Sequence, residues 1–455
     1  MIDYIVIISV LISFLFLTSK LSVGSNKEFF VLTGSQKTLT LSLSFFASGM
    51  GIWILTSPAE VGWYGLGPDV YGYALSAATP FALLYFVGPR ISLLIPDGTT
   101  LAEFIALKHG RSAQILTSIV ATIYMSAFLV AEFASIGLFV ETLFSISGLI
   151  VSILIGATTL VYLFVGGFKA SLRTDVLQGF VIITILLGLL IFWFVESGPQ
   201  QLIELGSYGG MTSSSSFSIQ SAIAVILAVT AAEIFSQGYW QRTFSAEKVG
   251  SLKVACIFAG IGCFITVLIL GFAGTVGAGM GIENPSLSFI GQLEGSTFIS
   301  YFLLILGVCL VTSSVDTLEN AIAATISIDF LRTSKLQTSR IITVAIVLIT
   351  ILLSLTVKNI FSVFLVADLL ATSLVVPALI YLNKKSNNIS LIVPFVLGLA
   401  GGVVYRATFV DLASNPGGLF VPTNTYGLAD LNTFLVTLVF SAISAFILGK
   451  KSSNN

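Results

Sequence analysis

The chain has 455 residues, of which 56% are apolar and 9% charged, and its mean hydropathy is +1.03. A soluble domain is about 25% charged, so this composition excludes an ordinary soluble protein and indicates a protein of the lipid bilayer. The 20 Lys and Arg residues nearly balance 21 Asp and Glu residues. Because no basic stretch could follow a phosphate backbone, we expect no nucleic-acid partner.

Motifs of metal and nucleophilic chemistry are missing from the sequence. It has one histidine, His109, and lacks HExxH, CxxC and GxSxG patterns, so zinc hydrolases and serine hydrolases have no candidate residues. The three cysteines lie inside apolar runs, which is typical of small buried side chains rather than of a disulfide framework. We therefore expect neither an enzyme nor an organic cofactor.

Uncharged stretches of about 20 residues, the length that crosses about 30 Å of hydrocarbon, recur along the whole chain. The first begins with Asp3 and lacks a small-x-small cleavage site before Lys20, so we interpret it as a retained helix rather than a signal peptide. In chain order the sequence predicts thirteen spans: 3–18, 40–63, 69–93, 112–143, 148–166, 174–195, 219–244, 251–280, 297–330, 338–356, 358–382, 390–406 and 429–449.

The positive charges predict an orientation for these spans. Eighteen of the Lys and Arg residues lie in or beside one alternate set of loops, and only Lys358 and Arg406 belong to the other set. Positive residues are enriched in cytoplasmic loops. The sequence thus predicts a multi-pass protein of the plasma membrane, with its N-terminus outside and its C-terminus in the cytoplasm.

Two predicted spans carry internal breaks. The second contains Ser48-Gly49-Met50-Gly51, and the seventh, five spans later, contains Ser236-Gln237-Gly238-Tyr239-Trp240-Gln241. Paired interruptions in corresponding halves indicate an inverted-repeat transporter whose site lies at the midplane. The alternative is that these glycines only allow close contacts between helices.

The stretch from Gly166 to Gln178, Gly-Gly-Phe-Lys-Ala-Ser-Leu-Arg-Thr-Asp-Val-Leu-Gln, closely resembles the signature of the sodium:solute symporter family. That family contains sodium/proline, sodium/glucose and sialic acid carriers. Ala47 to Met50 and Leu310 to Ser314 fall where the family has its first and eighth core helices. The resemblance covers about residues 3 to 382 and implies a sodium-coupled carrier.

Hydroxyl side chains on one face of a predicted helix support a sodium site independently of the family resemblance. Leu310, Ser313, Ser314 and Thr317 share one helix face, and unwound backbone in the second span would free carbonyl oxygens. The resemblance implies that sodium is bound by the carbonyls of Ala47, Met50 and Leu310 and by the hydroxyls of Ser313 and Ser314. The alternative is that the hydroxyls bond back to the helix backbone.

Ionisable residues inside spans cost about 2.5–3.5 kcal/mol each on insertion scales and are candidate functional groups. Asp175 begins the sixth predicted span, where we expect it to cap the helix start; the resemblance implies that it also lies near the inner sodium route, and the two roles are compatible. Asp316 would add negative potential beside the sodium. Glu132 stands where many family members have Gln, and the alternative for each acid is a buried carboxyl that only ties helices together. The remaining members of this group are Glu233, Glu319 and Asp368.

The Tyr239-Trp240-Gln241 string, with Gln237 two residues ahead of it, resembles the urea-transporter branch of the family. Gln amides and a Trp face suit a small planar polar solute. The alternative is an aromatic belt at the membrane interface, with Arg242 extending to the cytoplasm.

The sequence thus predicts an all-α membrane protein of about thirteen helices. Inverted repeats at 40–195 and 219–382 follow the helix at 3–18 and precede two C-terminal helices at 390–449. We expect sodium-driven import of a small polar solute, such as a urea-like compound, amino acid, sugar or carboxylate, by alternating access; the alternative is a channel or a solute sensor. The expected solute-binding residues are Ser48, Gly49, Trp53, Glu132, Gln237, Trp240, Gln241 and Asp368, with Asp175 and Asp316 along the ion pathway.

Overall fold

The computed structural model describes residues 1–64, 66–293, 297–356, 360–382, 386–410, 416–424 and 428–452. Within these ranges the chain is helical and forms no β-strand. The α-helices are α1 Ile2–Thr18, α2 Asn26–Phe30, α3 Thr38–Ser48, α4 Ser57–Tyr64, α5 Gly67–Leu94, α6 Leu101–His109, α7 Arg111–Phe144, α8 Gly148–Ser197, α9 Pro199–Tyr208, α10 Ser216–Glu233, α11 Gln237–Ser245, α12 Val249–Gly279, α13 Thr297–Ala324, α14 Leu336–Ser354, α15 Ile360–Leu379, α16 Ile389–Phe409 and α17 Leu431–Ser452.

In the described part of the chain, ten helices are long and apolar enough to cross a membrane. The pair Thr38–Ser48 and Ile52–Tyr64, bent by 65°, makes an eleventh if it forms one span. The predicted spans 148–166 and 174–195 both lie in α8, and α1 is a shorter apolar helix. The all-α membrane architecture is confirmed, while the count of thirteen spans stays a prediction.

Helix α8 has 50 residues, which at 1.5 Å per residue would be about 75 Å long if straight. It is interrupted at Gly167, whose φ of 50° and ψ of −142° are not helical. A Cβ at this position would lie 2.7 Å from the carbonyl oxygen of Phe29 in α2. Glycine therefore permits both the kink and the close approach of α2.

Helix α13 lies at the centre of the bundle. Every residue from Leu306 to Ala324 is buried, which is the pattern of a helix surrounded by protein on all sides. It packs against α7, α8 and α14 and reaches α3, and it continues as a π-helical turn over Thr325–Phe330. The hydroxyl face predicted on this helix is therefore enclosed.

Both predicted breaks are present, and the second is shifted. The first lies between α3 and the 3₁₀ turn Ile52–Leu55, at Gly49 to Gly51. The second comprises Ile234 to Ser236, and the residues from Gln237 onward are helical. The three cysteines are free and buried, as expected.

Two of the arginines used to predict the orientation lie in the protein interior. Arg242 and Arg406 are fully buried, and they form salt bridges with Asp175 and Asp430, respectively. Lys358, Lys384 and Lys385 fall outside the described residues, so the predicted topology remains a prediction.

Candidate functional site

A cavity lies where the two breaks meet α7 and α13. Its walls carry aromatic rings, hydroxyls and one carboxylate, and the predicted Ser48, Gly49 and Trp53 are among them. The lining residues are Ser48, Gly49, Trp53, Tyr124, Phe128, Glu233, Ser236, Tyr239, Ser314, Thr317 and Leu318. Tyr124 and Phe128 are one turn apart on α7. Neither was predicted from the sequence, because no motif singled them out.

The predicted sodium ligands are all buried where α13 packs against α3 and the 3₁₀ turn. Ser44 of α3 and Ser313 of α13 donate to the same carboxylate, Asp175, at 2.5 and 2.8 Å. Ala47 is one turn beyond Ser44, and its carbonyl accepts the backbone N–H of Met50 at 3.2 Å where the break begins. Leu310 is one turn before Ser313 and Ser314 on α13, and Ser314 lines the cavity. Hydroxyl and carboxylate oxygens thus meet at this junction, and oxygen is the ligand that a hard cation prefers.

Asp175 does not cap a helix start. Helical residues precede it from Phe168 onward, and its carboxylate is bound by side chains rather than by backbone N–H groups. Beside Ser44 and Ser313, it accepts a charge-assisted hydrogen bond of 2.7 Å from Arg242. The capping interpretation was wrong because the helix runs on from the kink at Gly167 and places Asp175 in the protein interior.

Asp316 is surrounded by hydroxyl donors. Tyr162, Ser171 and Thr174 of α8 donate to it at 2.5, 2.8 and 3.1 Å. One turn along α13, Glu319 accepts from Thr159 at 3.0 Å. The hydroxyl shell stabilises a carboxylate in a buried site, so α8 and α13 are joined by a column of acids and hydroxyls.

Glu132 does not line the cavity. One of its carboxylate oxygens accepts a hydrogen bond of 3.0 Å from the backbone N–H of Ile52, the first residue of the 3₁₀ turn. A Cβ at Gly51 would overlap this carboxylate. Glu132 thus fills the gap left by the first break and satisfies a backbone donor freed there.

Three of the predicted solute ligands after the second break point away from the cavity. The Gln237 side chain binds the backbone of Thr99 and Leu101, and the Gln241 amide donates to Asn320 at 2.8 Å. The Trp240 indole is fully buried and donates to the Ile234 carbonyl at 2.6 Å. These residues close the second break, and only Tyr239 of the string lines the cavity.

The aromatic-belt alternative was also wrong for this string. Trp240 and Arg242 are fully buried, whereas a belt would place them at the membrane surface. Arg242 is the main residue of the site that the sequence misassigned. An arginine beside a helix break was the available signal, but its partner Asp175 lies 67 residues away in the chain.

The carboxylate that lines the cavity, Glu233, has a second buried acid near it. Glu233, at the end of α10, accepts a hydrogen bond from the Tyr124 hydroxyl. Asp368 of α15 is buried and close enough to Glu233 for their charges to repel each other. In the described part of the chain, neither acid forms a salt bridge with Lys or Arg. This end of the cavity therefore offers negative potential without a resident cation.

Comparisons with known proteins agree with this geometry. A model of the sodium:solute symporter family matches residues 29–401. The chain is 30% identical over 379 residues to the spermidine transporter DUR31 of Candida albicans, covering 79% of this chain and 70% of that protein.

Solved structures share the fold. A Na⁺-coupled sialic acid symporter in a substrate-bound, outward-open state is 13% identical, with a TM-score of 0.80 over 99% of this chain and 98% of the other. The nucleobase-cation-symport-1 family transporter Mhp1 in a closed conformation is also 13% identical, with a TM-score of 0.57 over 94% and 96%.

Proposed function

The chain belongs to the sodium:solute symporter family, and we propose that it uses the sodium gradient to import a small organic cation of the amine class. The cavity between the two breaks is the proposed solute site, and Ala47, Met50, Leu310, Ser313 and Ser314 are the proposed sodium ligands. The observation that carries the choice of solute is the pair Glu233 and Asp368, two buried acids without a cationic partner among the described residues.

Charge selects among the solute classes. Two carboxylates without a cationic partner repel an anionic solute and attract an ammonium group. The cavity therefore disfavours a carboxylate solute, which the sequence had left open. Trp53, Tyr124 and Tyr239 line the same cavity, and aromatic faces attract organic cations. A neutral sugar can donate hydrogen bonds to the carboxylates, but it gains no charge–charge attraction from them.

The relative from Candida albicans supports the same solute class. Its name describes it as a spermidine transporter, and spermidine is an aliphatic polyamine that is cationic at neutral pH. We therefore take polyamines as the first solutes to test, with urea, amino acids and sugars as comparisons.

Alternating access between inverted repeats at 40–195 and 219–382 would carry solute and sodium together. Moving one charge across 100 mV releases about 2.3 kcal/mol, which is enough to concentrate a solute tens of fold. A channel or a sensor is less well supported, because the polar side chains gather around two helix breaks instead of lining a continuous pore. The loop charges support an orientation with the N-terminus outside and the C-terminus in the cytoplasm, in the plasma membrane that we propose as the location.

The test is uptake of radiolabelled spermidine by proteoliposomes, with an inward gradient of sodium or of potassium. We expect accumulation only with sodium, and competition by other polyamines but not by urea, amino acids or sugars. Glu233→Gln and Asp368→Asn should each raise the spermidine concentration for half-maximal uptake by at least tenfold.

Asp69→Asn is the matched control, because Asp69 is also a buried acid but lies at the start of α5 and does not line the cavity. Its uptake should equal that of the wild type. Sodium-dependent uptake of a neutral solute with no response to spermidine would keep the symporter and reject the cationic solute. Uptake that is the same in sodium and potassium would reject sodium coupling.

A further inference from the structure

The Arg242 guanidinium occupies a site built of oxygen atoms. Its nitrogens donate to Ser44 Oγ at 2.7 Å, the Gly238 carbonyl at 2.9 Å, Asp175 Oδ2 at 2.7 Å and Thr317 Oγ1 at 2.8 Å. The side chain is fully buried. A buried cation with four oxygen partners is held in one geometry, because losing any of them leaves a desolvated charge.

These partners come from two kinds of helix. Ser44 and Gly238 belong to α3 and α11, which adjoin the two breaks. Asp175 and Thr317 belong to α8 and α13, the central pair of the bundle. The guanidinium therefore ties the helices beside the two breaks to α8 and α13, and the four elements cannot separate on this side of the cavity while Arg242 holds all four partners.

Asp175 connects the Arg242 hydrogen-bond network to the proposed sodium site. Its Oδ1 accepts the Ser313 hydroxyl proton at 2.8 Å, while its Oδ2 is bound by Arg242. With its proton directed at Asp175, the Ser313 oxygen keeps its lone pairs for a cation on the other side. Sodium at Ser313 and the guanidinium of Arg242 thus lie on opposite sides of one carboxylate and compete for its charge.

The Arg242 hydrogen-bond network also lies on the side through which sodium is predicted to leave. Thr317 is one turn beyond Ser313 and Ser314, toward the end of α13 that precedes Arg332 and Lys335. Loop charges predict that this end is cytoplasmic. A sodium ion that leaves Ser313 in this direction meets Asp175 and Arg242 first.

We propose that Arg242 gates sodium release at the inner route: the guanidinium competes with sodium for Asp175, and its return to this carboxylate drives the ion out. The inference rests on the proposed sodium site and adds a gate to it. Arg242 is a positioning residue in this scheme: it orients Asp175, and through Asp175 the Ser313 hydroxyl, without touching the sodium ion.

Removing the guanidinium should separate sodium affinity from sodium release. In Arg242→Gln, Asp175 no longer has a cationic partner, so it attracts sodium more strongly and holds it longer. We expect equilibrium binding of radiolabelled sodium to purified protein to be at least as tight as in the wild type. Exchange of radiolabelled sodium across proteoliposomes should slow by tenfold or more.

Two further variants keep the test sharp. Arg242→Lys retains the charge but loses the planar fork that reaches several partners at once, so the same changes should appear in weaker form, and this variant serves if Arg242→Gln does not fold. Arg406→Gln is the matched control, because Arg406 is the other fully buried arginine paired with an aspartate among the described residues and lies in α16. Its sodium binding and exchange should be unchanged.

The outcomes distinguish the inference from the proposed function. If the wild type does not bind radiolabelled sodium, the proposed function fails and the gate with it. If the wild type binds sodium but the Arg242 variants lose binding and exchange in equal proportion, or change neither, Arg242 is only structural and the gate is rejected. Tight binding with slow exchange supports it.

Discussion

Glu132 and Ile52 are joined across the first helix break by a hydrogen bond of 3.0 Å from the Ile52 N–H to the Glu132 carboxylate. The contact spans 80 positions of the chain. It links α7 to the 3₁₀ turn that follows the break and precedes α4. Glu132 thus stabilises unwound backbone instead of lining the cavity.

The first prediction concerns this contact. Glu132→Gln keeps an oxygen that can accept from Ile52, so we expect the solutes accepted and the pH profile of uptake to match the wild type. Glu132→Ala leaves a buried N–H without a partner, which costs about 1–3 kcal/mol, and should lower both the melting temperature and uptake. Thermal unfolding and a solute panel on both variants check this. Altered solute choice in Glu132→Gln would place the carboxylate in the solute site after all.

The second prediction concerns the proposed sodium ligands. Ser313→Ala and Ser314→Ala each remove one oxygen from the cation shell, and we expect the sodium concentration for half-maximal uptake to rise by about tenfold, the factor that 1.4 kcal/mol represents. Ser313→Ala should have the larger effect because it also removes the hydrogen bond that Ser313 donates to Asp175.

Thr312→Ala is the control for this pair, since the Thr312 hydroxyl bonds to the Val308 carbonyl within its own helix. Its sodium dependence should be that of the wild type. An equal response of all three variants would mean that packing of α13, and not coordination, sets sodium dependence.

The third prediction tests the kink of α8. Gly167 has a φ of 50° and touches α2 closely, so Gly167→Ala should destabilise the protein by about 1–3 kcal/mol through backbone strain and crowding. Gly188→Ala in the same helix is the comparison, because no atom lies within 4 Å of the added Cβ. It should be neutral or stabilise the helix by up to about 1 kcal/mol. Melting temperatures in detergent measure both, and equal shifts would argue against the kink.

The fourth prediction is a pH dependence at the end of α6. Burial lowers the pKa of His109 to about 4, against an ordinary value of 6.5. Between these values the unfolded chain takes up a proton that the folded protein excludes, so stability is lost as the pH falls from about 6.5 to about 4. The loss approaches about 3 kcal/mol at the acidic end.

His109→Gln removes this proton uptake, and its melting temperature should fall less over the same pH range than that of the wild type. Unfolding curves of both proteins at four pH values between 7.5 and 4.5 give the comparison. Parallel curves would show that His109 is as easily protonated in the folded protein as in the unfolded chain.

The sequence predicted well what depends on local composition. Apolar runs such as that of α12 predict spans because the bilayer admits only segments that satisfy their own backbone. Gly49 and Gly51 predict a break because glycine weakens a helix wherever it stands. The Gly166 to Gln178 signature likewise predicted the family, since it depends only on residue order.

Only the tertiary structure decided which polar groups meet. The sequence predicts that Arg242 is a cytoplasmic anchor and that Asp175 is a helix cap. Each is instead buried, because the other, 67 residues away in the chain, supplies the opposite charge. The sequence predicts that Gln237 and Gln241 bind the solute, but their amides form hydrogen bonds with backbone and side-chain groups around the second break. A buried charge or amide is stable only beside a partner, and the packing of α3, α8, α11 and α13, not the sequence near each residue, supplies that partner.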